Sequence, residues 1–183
     1  MYNNNIFGTV SSLLLGSMAA PLKPNFTAIG ARNGSSTLEC WQLDSTFSFS
    51  TERGVPGGAA AQLGGLSNVS YTVFPPTYDV GLHNAPFKQW VVFMKGLAYF
   101  TLPDDNSTSA YISAGEHGII FAADTPDVSH KGHQTQLVGM TETIVLFIPT
   151  KDGEEPAHEV LHSGPCTADE AGGLGELVLG GSS

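Results

Sequence analysis

Two histidines, His83 and His133, close off the stretch of this chain with the most chemistry in it. The first sits in His83-Asn84-Ala85-Pro86-Phe87-Lys88-Gln89, and the second ends the polar segment from Asp124 to Gln134, which also holds His130. An imidazole titrates near neutral pH, so it can take up and return a proton, or ligate a metal when neutral. If the intervening strands bring both turns to one apolar pocket, one imidazole serves as general acid/base and Gln89 orients a substrate carbonyl or fixes a tautomer. Such a site supports isomerisation, cyclisation or dehydration of a small aromatic or polyketide-like compound. Trp90, Phe93, Tyr99, Phe100 and Phe121 are candidate pocket walls. Plain core packing is the competing reading, because each strand of a barrel points alternate residues inward and outward. Lys88 and Lys95 are placed to meet an anionic substrate group, or simply to be solvated at strand ends.

A metal is the other chemistry open to these residues. His83, Gln89 and His133, with His130 as a further donor, are the candidate ligands for a single divalent iron, manganese or zinc ion. A neutral amide is a poor donor for such ions, and the two-histidine, one-carboxylate arrangement needs an acid that only Asp124 or Asp127 is near enough in sequence to supply. The remaining histidines carry less. His117 follows Gly115-Glu116 at a turn and reads as a surface residue, while His158 and His162 flank a short C-terminal strand and read as structural or exposed. There is no Gly-x-Ser-x-Gly nucleophile motif, and no glycine-rich loop lies between a strand and a helix to hold phosphates.

The elements that must position these groups are strands. Only 13% of the 183 residues are charged, while 22 glycines and 11 prolines suit many short strands and turns. Runs such as Val69-Ser70-Tyr71-Thr72-Val73-Phe74, Trp90 to Met94, Leu97 to Leu102, Ile119-Ile120-Phe121 and Glu142 to Ile148 alternate or are continuously apolar, and prolines stop two of them. Lys95-Gly96 reads as a hairpin turn between Trp90 to Met94 and Leu97 to Leu102. No helical periodicity persists, so the expected class is all-β, a single-domain sandwich or barrel of roughly eight to ten strands. The expected organisation is a leader and connector over 1–36, a barrel domain over 37–166 and a glycine-rich tail over 167–183. Seven Lys+Arg against seventeen Asp+Glu give a charge of -10, which disfavours nucleic acid and anionic membrane surfaces as partners.

The ordered motifs around these residues resemble those of the cupin superfamily of small jelly-roll barrels. Gly81, His83, Gln89 and Gly96 follow the first cupin motif, and Gly115-Glu116 with Gly132-His133-Gln134-Thr135 follow the second. The resemblance covers about residues 69 to 162 and is greatest to a subgroup of small secreted or metabolite-modifying fungal proteins. It implies a jelly-roll β-barrel with a small-molecule substrate or ligand inside, and it allows a homodimer paired through an edge strand. It also implies a metal held by two His and a Glu of the first motif and a His of the second. Here Ala85 and Gln89 replace the second His and the Glu. That departure turns the reading toward metal-free acid/base catalysis, with a secreted non-catalytic protein binding a sugar or apolar molecule, or a metal-dependent oxygenase, as alternatives.

Ile6 to Ala20 has a short apolar core and small residues before a cleavage point after Ala19, though no basic residue precedes it. Four Asn-x-Ser/Thr sequons occur, at Asn25, Asn33, Asn68 and Asn106. The expectation is the secretory pathway, with the cytoplasm as the alternative. In the first case Cys40 and Cys166 pair as a disulfide; in the second they are free buried thiols.

Overall fold

The computed structural model describes residues 22–115 and 117–171; the leader over 6–20, Glu116 and the tail beyond residue 171 lie outside them. The described chain is all-β. Its strands are β1 (Asn25–Arg32), β2 (Ser35–Leu43), β3 (Ser48–Phe49), β4 (Ala59–Ala60), β5 (Ser70–Phe74), β6 (Asp79–His83) and β7 (Gln89–Lys95). They continue as β8 (Leu97–Leu102), β9 (Asp105–Ser113), β10 (Ile119–Ala122), β11 (His133–Leu137), β12 (Thr143–Pro149) and β13 (His158–Ser163). A single 3-10 turn, Lys151–Gly153, is the only helical element described. No helix among the described residues is long and apolar enough to cross a membrane.

A seven-stranded sheet runs in the order β13-β2-β1-β10-β7-β12-β5, and a four-stranded sheet in the order β6-β11-β8-β9. All pairings are antiparallel except β1 with β10. The two sheets face each other in the manner of a β-sandwich, with Leu38, Val91, Phe93, Ile120 and Val145 of the larger packing toward Ala98, Phe100, Ile112 and Leu137 of the smaller. The described strands form open sheets, and no hydrogen-bonded closure into a barrel is present.

Two sequence expectations fail here. Asn25–Arg32, read as connector, is an interior strand of the larger sheet, because Thr27 and Ile29 point to one face while Phe26 and Ala28 point to the other. β7 and β8 are not hairpin partners: β7 pairs with β10 and β12, and β8 with β9 and β11. The chain instead changes sheets at Gly96, which has φ +100 and where a Cβ would lie 2.3 Å from Thr143 Oγ1. A glycine at a sharp bend signals a turn without saying which sheet the chain enters next.

The central strands of the larger sheet are buried on both faces. Its outer face carries a second cluster around Trp41, Leu43, Trp90 and Phe121. There Phe26 and Phe121 meet Trp90 edge to face at centroid distances of 5.0 and 4.9 Å, and Trp90 Nε1 donates to the Leu63 carbonyl. Cys40 and Cys166 form a disulfide that ties the segment after β13 back to β2.

Candidate functional site

A cavity of about 350 Å³ lies between the sheets. The period-two alternation of β7 turns Gln89, Val91 and Phe93 into it and Trp90 away from it. β8 contributes Phe100 by the same rule, and β11 contributes His133, Thr135 and Leu137. His83 closes β6 directly opposite His133 in the antiparallel register, and their rings lie 4.6 Å apart between centroids. The expected convergence of the two imidazoles is therefore met in the geometry, with Gln89 on the facing sheet.

Gly132 makes this approach possible. Its φ is +74, and a Cβ there would lie 2.1 Å from the His83 carbonyl oxygen. Any side chain at residue 132 would push the loop before β11 off the end of β6. Asn84 adds to the hold, its Nδ2 donating to the carbonyls of Asp124 and Ser129.

Asp124 is the residue that the sequence argument left unplaced. Its side chain is fully buried, and its Oδ2 accepts from His133 Nδ1 at 2.6 Å and from the Ser36 hydroxyl at 2.7 Å. The polar chain extends backward, since the Ser129 hydroxyl lies 2.8 Å from Ser36 Oγ and accepts the Gly132 N–H at 3.1 Å. Every hydrogen in it then runs one way: Gly132 N–H to Ser129, Ser129 to Ser36, Ser36 to Asp124. A carboxylate removed from water needs such donors, because an unpaired buried charge is costly. A signal for Asp124 did exist: Ile120, Ala122 and Asp124 continue one inward-facing period of two beyond the end of β10.

The partners fix the tautomers. His133 donates its Nδ1–H to the carboxylate, so in the neutral ring Nε2 carries the lone pair. His83 Nδ1 lies 2.9 Å from the Gly81 carbonyl, which can only accept, so its Nε2 is also bare. Burial lowers the His83 pKa from the ordinary value, against the opposing pull of the Gly81 carbonyl, and neighbouring His133 lowers it further. One buried group on the cavity wall remains unmatched: Thr135 Oγ1 has no partner among the described residues, while the Gln89 carboxamide faces the cavity from the other sheet.

The other expected site residues lie elsewhere. Trp90 and Phe121 are outer-face core, and Tyr99 points away from the cavity to stack on Tyr111 at 4.4 Å. Lys88 pairs with Glu155 at 2.8 Å and Lys95 with Glu142 at 2.8 Å, so neither faces the cavity. His130 is exposed beside Gly34, and Asp127 is exposed too. His117 lines a separate depression together with Cys166. Trp90, Tyr99 and Phe121 are each next in sequence to a cavity residue, and the pleat sends them to the opposite face.

The residues present do not complete a metal site of the kind the cupin resemblance implies. Two imidazole nitrogens and one neutral amide reach the cavity, and the one nearby carboxylate is committed to His133 Nδ1 and Ser36. His130, the fourth expected donor, is outside it. One other group of possible ligands is Cys40, His162 and Glu170, and its cysteine is spent in the disulfide. Comparison of the chain with protein-family models, with curated proteins and with solved structures found no match.

Proposed function

We propose that this protein is a small cupin-like enzyme, a jelly-roll variant that moves protons on a small organic molecule held between its sheets. The observation that carries this reading is the Asp124–His133 pair, at 2.6 Å, with His83 beside it on the wall of an apolar cavity. His133 Nε2 takes a proton from carbon next to a substrate carbonyl, and the electron pair moves onto the carbonyl oxygen as an enolate. Asp124 stabilises the imidazolium that results and holds the ring in register. The Gln89 amide N–H donates to the developing oxyanion. Return of the proton to another carbon gives isomerisation, and its delivery to a departing hydroxyl gives dehydration. His83, kept neutral by burial, does not repel the imidazolium as a second cation would.

The compartment proposed is the secretory pathway. The Cys40–Cys166 disulfide supports an oxidising environment, and the sequon asparagines Asn33, Asn68 and Asn106 are exposed. Asn25 is the exception, since its amide donates to the Glu170 carbonyl and accepts from Gln42.

The test is exchange at a carbon acid. Native protein in D2O with 2-tetralone, a neutral bicyclic ketone, is expected to speed deuterium incorporation beside the carbonyl, followed by proton NMR. His133→Gln and Asp124→Asn are expected to lower that rate by about 100- to 10,000-fold. Treatment with a chelator is expected to leave it unchanged. A ketone that binds, by saturation-transfer NMR, yet exchanges no faster than in buffer would make this a binding protein. A rate that vanishes on chelation would restore the metal-dependent reading.

A further inference from the structure

We infer that the cavity selects an uncharged, ring-sized molecule bearing a hydroxyl donor, a phenol or an enol, whose O–H donates to Nε2 of His83 or of His133. This deepens the proton-transfer reading and rests on the same two imidazoles.

The first argument is donor count. Both rings spend their Nδ1–H on the protein, one on the Gly81 carbonyl and one on Asp124, so each neutral ring presents a lone pair at Nε2. The rings are adjacent, at 4.6 Å, and no described residue donates to either Nε2. A guest that displaces water from these acceptors loses affinity unless it supplies a hydrogen in its place. A ligand hydroxyl supplies one.

Charge gives the second argument. No Lys, Arg, Asp or Glu lines the cavity among the described residues. A carboxylate or phosphate ligand would enter with no counter-charge, against the field of a chain carrying -10 and with both imidazoles presenting lone pairs. An ammonium ligand fares no better, because Asp124 sits behind His133 with its carboxylate already satisfied. Burial keeps His83 on the neutral side, so it does not offer an anion a positive partner.

Thr135 adds to this. Its Oγ1 reaches the cavity with no partner among the described residues, and the Gln89 carboxamide faces the cavity from the other sheet. They suit a second polar atom of the ligand, a carbonyl or a further hydroxyl, while Phe93 and Phe100 suit its ring.

Isothermal titration of the native protein with three isosteres tests this: 2-naphthol, 2-methoxynaphthalene and 2-naphthoate. The naphthol is expected to bind at least about tenfold more tightly than either of the others. Nitrogen-15 NMR of the imidazoles is expected to show at least one Nε2 signal shifting with naphthol and both holding still with the methyl ether. Equal affinity for naphthoate or for the ether overturns the inference, as does naphthol binding that leaves both Nε2 signals in place. The exchange assay with tetralone separates this from the functional reading. Naphthol selectivity without exchange leaves the pocket and removes the base; exchange without naphthol selectivity does the reverse.

Discussion

The two faces of the seven-stranded sheet are built from the same strands and have opposite characters. On the outer face, Trp41, Trp90 and Phe121 fill the space with large rings, and the Leu63 carbonyl satisfies the one indole N–H of Trp90. On the inner face no tryptophan is present, slender Val91, Ala122 and Val145 stand among larger Phe93 and Ile120, and the sheets stand over a hollow. The contrast shows that volume, and not hydrophobicity, separates structure from site in this fold. Both faces are apolar, but only the one with undersized side chains leaves room for a guest.

The largest test of that contrast is Trp90→Ala. Loss of a fully buried ring from the filled face is expected to cost about 3–5 kcal/mol, read from the urea midpoint. A cost below about 1 kcal/mol would mean the outer face is not close-packed. A sharper test uses two adjacent alanines that the pleat sends to opposite sides. Ala123→Leu, on the outer face, is expected to destabilise by about 1–3 kcal/mol through overpacking. Ala122→Leu, beside the cavity, is expected to be tolerated while abolishing 2-naphthol binding. Equal costs for the pair would erase the distinction between the faces.

The smallest expected effect concerns pH. Burial lowers the His83 pKa in the folded protein, so below the ordinary value of about 6.5 the unfolded chain takes up a proton that the folded one resists. Stability therefore falls as pH drops through that region. His162 works the other way: the Ser163 carbonyl and Glu170 raise its pKa, so its contribution is present below the ordinary value and lost as pH rises through the folded one. It is solvent-screened, and His83 should dominate. The melting temperature is expected to be lower at pH 5.5 than at 7.5, with the gap narrowing in His83→Phe. An unchanged gap in that variant would detach the effect from the cavity wall.

Strand identity was largely legible because alternation is local: β5, β8 and β12 follow their apolar pattern to within a residue or two. The convergence of His83 and His133 was also legible, from motif order. What local pattern does not carry is partner choice. Gly96 looks the same whether the chain turns back on itself or crosses to the facing sheet, and only Thr143, far off in sequence, decides. Asp124 was ambiguous for a related reason. A lone acid in a polar loop is usually solvated, and the donors that let it stay buried come from Ser36 and Ala85, remote positions in chain order.

The link between Cys40 and Cys166 spans 126 positions, so nearly all of the described chain lies within one covalent ring. By chain-entropy arguments that closure is worth about 5 kcal/mol against the open polymer. It also changes what a protease can do. A cut in the exposed segment 51–58 opens the ring without freeing either half, and the nicked molecule migrates as one species until a thiol is added.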